Sequence, residues 1–236
     1  MSSSGRNKIM YEFHFVTFSD KNYANQQNKL CLYAEELEQF KSVNKYSKEK
    51  HLLNSEFYKE NKNILDQSRG CGYWLWKPYF ILEKLNEIDY GEVVFYLDCA
   101  DVFYPNLVPF LKNNNFESDV ILVRGAHPNR DWTKRDCFVY MMCDEEKYWN
   151  HNQLEAGIGF YKKTPKTMKV VREWLEFCKN PNILTDVPNI SNLPNFDNFQ
   201  DHRHDQSVLT NIAVKHDLRI ENEMIRQFVA CNVNEN

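Results

Sequence analysis

Apolar positions along this chain come in blocks, some spaced for strands and some for helices. Residues 9–18 read as a first strand with Phe13, Phe15 and Val16 in the core, and 19–22 as the loop at its carboxyl end. From 26 to 46 the spacing turns helical, through Leu30, Tyr33, Ala34, Leu37 and Phe40. A second helical or broken stretch over 48–65 ends at Gly70-Cys71-Gly72. Pro78 stands at a first helical position, and 79–88 continue as a helix. Residues 93–97 are continuously apolar, as in a strand covered on both faces. Then come a short helix at 106–111, a strand at 119–124, a helix at 134–142 and a short strand at 157–161. Thr164-Pro165 supplies a cap and a first-position proline, and Met168, Val171, Trp174, Leu175 and Cys178 line one face behind it. Residues 180–200, rich in Asn and Pro, read as a functional lid or a covering segment. A helix over 205–216 turns Val208, Leu209, Ile212 and Ala213 inward, and 218–220 form a last strand.

Strands alternating with helices predict an α/β fold with a mostly parallel central sheet flanked by helices. Without repeat, linker or low-complexity tract, one domain over 1–236 is expected, with a flexible terminus at 1–8 and an irregular tail at 222–236.

Composition narrows the partners. Apolar residues make up 42% of the 236 positions, enough for a real core. The aromatic share is high, with 16 Phe, 13 Tyr and 5 Trp, and offers stacking surfaces for a sugar or a base. A net charge of −4 argues against a general nucleic-acid binder. The 7 cysteines show no Cys-x-x-Cys spacing, so a structural zinc site is not expected. Scattered thiols without a signal peptide predict a cytoplasmic protein. No apolar run approaches the ~20 residues that span a bilayer, so any membrane association would be peripheral.

Four segments carry candidate chemistry. The strand 93–97 delivers Asp98 to its carboxyl end, where α/β sheets place ligands, and Asp101 follows three residues later. Two hard carboxylates there can hold Mg²⁺ or Mn²⁺ with a substrate diphosphate. The alternative is a helix-capping Asp beside an ordinary loop Asp. In Arg69-Gly70-Cys71-Gly72-Tyr73-Trp74-Leu75-Trp76-Lys77-Pro78, the glycines permit close ligand approach, Tyr73, Trp74 and Trp76 are flat, and Arg69 and Lys77 suit a diphosphate. The same segment also reads as an aromatic helix entry packed in the core. Glu155, before the glycine-flanked strand, either faces a cleft and binds a hydroxyl or lies on the surface. In His202-Arg203-His204-Asp205, Asp205 is a helix cap, a base or a sugar-binding carboxylate, and His204 a phosphate or metal contact. Arg124 and the charges over 130–136 are candidate cations for a leaving group or plain loop charges.

In their order, these segments resemble the small bacterial and viral nucleotide-sugar-dependent glycosyltransferases of the GT-A type. The resemblance rests on 72–78, on Tyr96-Leu97-Asp98, on Glu155-Ala156-Gly157 and on His204-Asp205-Gln206, and spans roughly 9–220. It implies a Rossmann-like sheet, a nucleoside diphosphate sugar donor, a hydroxyl acceptor on a glycan or other molecule, and Mn²⁺ or Mg²⁺ on an Asp-x-Asp motif. This chain departs from that motif by one residue, Asp98-Cys99-Ala100-Asp101. The resemblance further implies Thr17, Phe18 and Ser19 beside base and ribose, Lys77 near the acidic motif or phosphates, and Glu155 and Asp205 bordering sugar and acceptor. The activity implied is hexosyl or pentosyl transfer in glycan biosynthesis, with Asp205 ahead of Glu155 as base if configuration inverts. Two other readings compete. One is a metal-dependent phosphohydrolase using Asp98, Asp101, His202 and His204. The other is a noncatalytic nucleotide- or sugar-binding module on the same scaffold.

Overall fold

The computed structural model describes residues 11–113, 118–221 and 223–231. Among the described residues there are eight strands: β1 Phe13–Ser19, β2 Ser42–Ser47, β3 Val93–Leu97, β4 Asp101–Phe103, β5 Val120–Pro128, β6 Asn152–Lys162, β7 Arg219–Glu221 and β8 Val229–Cys231. Six form one sheet in the order β2-β1-β3-β6-β5-β7, and β4 pairs with β8 in a small second sheet. Within the large sheet β6 runs antiparallel to both neighbours, while the β1–β2, β1–β3 and β5–β7 pairs are parallel. The expected α/β class, mostly parallel and flanked by helices, is the one adopted.

The apolar run 93–97 behaves as its composition dictates. All five side chains are buried. Alternation along the strand sends Val94 and Tyr96 into one core, and Val93, Phe95 and Leu97 into the other. The first core packs under the helices Trp76–Glu87, Pro165–Cys178 and Asp205–Lys215; the second packs under Ala24–Glu36. Helix Pro165–Cys178 starts as read, with Thr164 Oγ1 accepting from Thr167 N at 3.1 Å. The inward positions Val208, Leu209, Ile212 and Ala213 are all buried.

The structure corrects several expectations. The helix read over 26–46 ends at Glu36, and β2 occupies positions 42–46 of that span. Being an edge strand, β2 has partly exposed faces and a polar sequence, so its period was masked by the helical spacing of Leu37 and Phe40. β6 has twice the expected length, because its first half is polar yet paired with β5. Pro78 is third rather than first in its helix, still within the turn that needs no N–H donor. The irregular tail expected over 222–236 contains a short helix, Glu223–Arg226, and β8; residues 222 and 232–236, like the terminus 1–8, lie outside the described residues. The segment 180–200 packs over the body of the protein and is fastened to it by buried polar contacts. The Asp136 carboxylate accepts from the Ile190 and Ser191 amides, and the Lys134 ammonium donates to the Thr185 and Val187 carbonyls. The cysteines whose side chains are described are free thiols. Among the described residues no helix is long and apolar enough to cross a membrane.

Candidate active site

The carboxyl end of β3 is the organising point. Asp98 N donates to Gly157 O at 2.8 Å, which extends the β3–β6 ladder one residue beyond Leu97. Asp101 N donates to Asp98 O at 3.0 Å, closing a turn that leads into β4. β4 is fastened by β8, with Asp101 opposite Cys231. β8 therefore fixes the backbone that carries the second carboxylate.

Both carboxylates lean over Gly157. A Cβ on that residue would lie 3.0 Å from Asp98 Oδ2 and 3.5 Å from Asp101 Oδ2. The β5–β6 pairing skips from Leu122–Gly159 to Val123–Glu155, so 156–158 have no β5 partner where the carboxylates gather. The donor set is two hard oxygens facing one cleared space. That fits a divalent cation whose other positions are filled by diphosphate oxygens or water. Among the described residues no third side chain joins them as a ligand.

Asp98 is also held from within. Tyr96 OH donates to Oδ1 at 2.5 Å, and Lys77 Nζ lies 3.2 Å from the same oxygen. Lys77 Nζ is in turn 3.4 Å from Asp205 Oδ2. These groups come from three places in the sequence. Lys77 is in the first turn of Trp76–Glu87, and Asp205 opens Asp205–Lys215. A cation in a first helical turn opposes the helix dipole, and the two carboxylates offset that. Trp174 Nε1 fixes the Asp205 backbone by donating to its carbonyl at 3.0 Å.

Lys77 and Asp205 are buried, which sets their protonation. Burial pushes the Asp205 carboxyl up to about 7; Lys77 pulls it down and Asp98 pushes it further up. Burial alone would lower the Lys77 ammonium, but Asp205 and Asp98 outweigh it and its pKa is raised. The pair is an ion pair without good hydrogen-bond alignment, since Asp205 Oδ2 lacks a hydrogen-bond partner among the described residues.

Three connected hollows surround this cluster. A 370 Å³ pocket is lined by Phe18, Ser19 and Asp20 at the end of β1, by Gly70, Trp74 and Trp76, and by Asp98. Asp98 and Trp74 also line a 150 Å³ pocket containing Lys77, Gly157, His204 and Asp205. Arg203 and Gln206 carry that pocket into a third of 300 Å³, which holds Trp132, Glu155 and Arg226.

The wall between the first two hollows is strained. Gly70, Cys71, Gly72, Tyr73 and Trp74 all have positive φ, from 53° to 94°. The segment is one left-handed helical turn, closed by Trp74 N donating to Gly70 O at 3.1 Å. Cys71, Tyr73 and Trp74 have no glycine freedom, and left-handed backbone costs roughly 1–2 kcal/mol for each such residue. Trp74 lies across Gly70, where a Cβ would fall 2.3 Å from the indole, and stacks on His204 at 5.5 Å. His204 is itself strained, at φ 52° and ψ −120°. Such strain concentrates where the fold must hold a ligand.

The residues singled out from sequence separate into two groups. Phe18, Ser19, Trp76, Lys77, Asp98, His204, Asp205 and Arg69 line the first two hollows, and Glu155 the third. Phe18 stacks on Trp76 with centroids 3.9 Å apart. Thr17 is fully buried and Tyr73 packs on His204; neither lines a hollow. The Arg69 guanidinium is already held by Asp186 and Asp201. Burial pushes the Glu155 carboxyl up, against the pull of Arg226, with which it pairs.

The structure removes the support for a histidine metal site. His202 Nε2 is bonded to Ile183 O at 2.8 Å, and its Nδ1 accepts from Lys134 N. His204 Nδ1 is bonded to Leu184 O at 2.8 Å. Both rings are buried with a nitrogen on a backbone carbonyl. Among the described residues His204 Nε2 has no hydrogen-bond partner, but Asp98, Asp101, His202 and His204 do not gather into the metal-ligating group that the hydrolase reading requires. Asp205 is not the helix cap either, since His204 occupies that position. Sequence reasoning missed Tyr96, whose hydroxyl is indistinguishable in sequence from core aromatics, and Tyr161. The Tyr161 hydroxyl, buried without a hydrogen-bond partner among the described residues, lies 2.6 Å from where a Gly159 Cβ would be.

The fold and cleft together define an α/β protein whose main cleft lies at the carboxyl ends of β1 and β3. No family model and no curated protein matches the chain. Among solved structures it is similar to a glycosyltransferase involved in the glycosylation of the major capsid of PBCV-1. That match has 11% identity and a TM-score of 0.45, covering 90% of this chain and 81% of that one. It is also similar to mouse xyloside xylosyltransferase 1 in its apo form, at 10% identity and a TM-score of 0.46, covering 90% and 84%. At these scores neither likeness bears on substrate or chemistry, which are read from the cleft itself.

Proposed function

We propose that the protein is a nucleotide-sugar-dependent glycosyltransferase of the GT-A type. One observation carries the reading: Asp98 stands at the junction of a nucleotide-sized pocket and a smaller pocket containing Asp205. The 370 Å³ pocket, with Phe18, Trp74 and Trp76 as flat walls, suits a nucleoside. The diphosphate falls beside Asp98 and Asp101, and the sugar enters the pocket of Lys77 and Asp205.

Asp98 and Asp101 would hold Mn²⁺ or Mg²⁺. When bound, the cation supplies charge neutralisation for the departing diphosphate. Lys77 keeps both Asp98 and Asp205 oriented and part of the Asp205 population ionised. Asp205 takes the proton of the acceptor hydroxyl as that oxygen bonds to the anomeric carbon and the bond to the diphosphate breaks. A carboxyl with a pKa near 7 suits a base at neutral pH. The product is inverted.

Asp205→Asn is the test. It retains donor binding within about twofold and loses transfer by at least ~100-fold, as expected for removal of a general base. Normal turnover in that variant would overturn the base assignment.

A further inference from the structure

The third hollow has its own chemistry. It holds two arginines, one histidine and one glutamate: Arg203, Arg226, His127 and Glu155. Arg226 is spent, because its guanidinium bonds Glu155 and the Arg124 carbonyl. Arg203 is not. Its guanidinium carbon lies over the Trp132 ring, 4.3 Å from the centroid. Among the described residues it has no carboxylate partner. The pocket therefore keeps one preset, uncompensated positive charge.

The position of that charge says what it serves. Arg203 lines the 300 Å³ hollow and the Asp205 pocket, but not the nucleotide-sized pocket. Asp98 joins the Asp205 pocket to the nucleotide-sized one, whereas Arg203 and Gln206 join it to the 300 Å³ hollow. Arg203 thus faces whatever approaches Asp205 from the third hollow. Contact with Trp132 restrains the guanidinium, whose planar fork suits two-pronged contact with a carboxylate or a phosphate. The side-chain amides of Gln153 and Gln206 hydrogen-bond one another at 2.7 Å and add polar lining at the pocket's inner end.

We infer that this hollow is the acceptor subsite and that the acceptor is an anionic sugar, bound through Arg203. The inference rests on the transferase reading for the word acceptor, not for the site. Both a uronic-acid carboxylate and a sugar phosphate carry the required charge.

The experiment is titration calorimetry of the intact protein with glucuronate, glucose 6-phosphate and glucose, alongside a nucleoside diphosphate. Wild type binds at least one anionic sugar about tenfold more tightly than glucose, and the two anionic arms distinguish carboxylate from phosphate. Arg203→Gln abolishes the preference, Arg203→Lys keeps part of it, and nucleotide affinity stays within about twofold in both. Arg203 is solvent-exposed, so these variants fold, and melting temperature verifies it. Glucose binding as tightly as both anionic sugars, or a preference that survives Arg203→Gln, overturns the inference. Absent nucleotide binding overturns the transferase reading instead.

Discussion

Gly157 lies beneath Asp98 so closely that a Cβ there would come within 3.0 Å of Asp98 Oδ2. The backbone of the same glycine accepts from Asp98 N. A side chain at 157 would therefore crowd the carboxylate while leaving the strand pairing in place. Gly157→Ala should weaken metal-dependent nucleotide binding by about tenfold or more, with little change in melting temperature. Calorimetry with and without Mn²⁺ checks this.

Asp205 couples stability to pH in a defined direction. Its folded pKa is raised to about 7, above the ~3.9 of an unfolded aspartate, so the folded state holds the proton more tightly. The group favours folding most below pH ~4, and that contribution is lost as pH rises through about 7. Transfer needs the ionised form, so activity should rise over the same interval. Urea unfolding across pH 4–8 should show the slope in wild type and a reduced slope in Asp205→Asn. An unchanged slope would assign it to another group.

Lys77 is the cation between two carboxylates and is itself buried. Removing it leaves Asp98 without its cation and lets the buried Asp205 carboxyl take up a proton. Lys77→Met should cost up to about 3 kcal/mol, the low end of the penalty for breaking a buried pair. Lys77→Met combined with Asp205→Asn should recover part of that loss, since the carboxyl that had to be neutralised is gone. Denaturant unfolding of the three variants forms the cycle, and strict additivity would contradict the ion pair.

Gly70 makes room for the Trp74 indole within the left-handed turn. Gly70→Ala places a methyl group 2.3 Å from that ring and strains a positive φ. It should displace Trp74 from His204, alter tryptophan fluorescence and weaken nucleotide binding. Unchanged fluorescence and affinity would mean that the turn does not position the wall.

The sequence made β3 and helix Asp205–Lys215 legible because their patterns match their burial. Five apolar residues in β3 are covered on both faces, and the four inward positions of the helix are all buried. β2 was hidden because an edge strand need not alternate cleanly, and Leu37 and Phe40 continued a helical period past the true end at Glu36. The resemblance already implied Lys77 near the acidic motif, and it lies 3.2 Å from Asp98. The contact of Lys77 with Asp205 was not legible, because the topology that joins 77, 98 and 205 leaves no mark in local spacing. His202 and His204 looked like ligands for the converse reason: only the fold shows their rings turned onto the carbonyls of 183 and 184.

The most direct measurement is thermal unfolding with a panel of nucleoside diphosphate sugars, with and without Mn²⁺ or Mg²⁺. A ligand that binds only the folded state at 100 times its Kd adds about 2.7 kcal/mol of stability. One nucleotide family should raise the melting temperature in a metal-dependent way, and Asp98→Asn and Asp101→Asn should each abolish the metal dependence. No shift with any nucleotide, or a shift indifferent to both substitutions, would contradict the assignment of this cleft to nucleotide-sugar transfer.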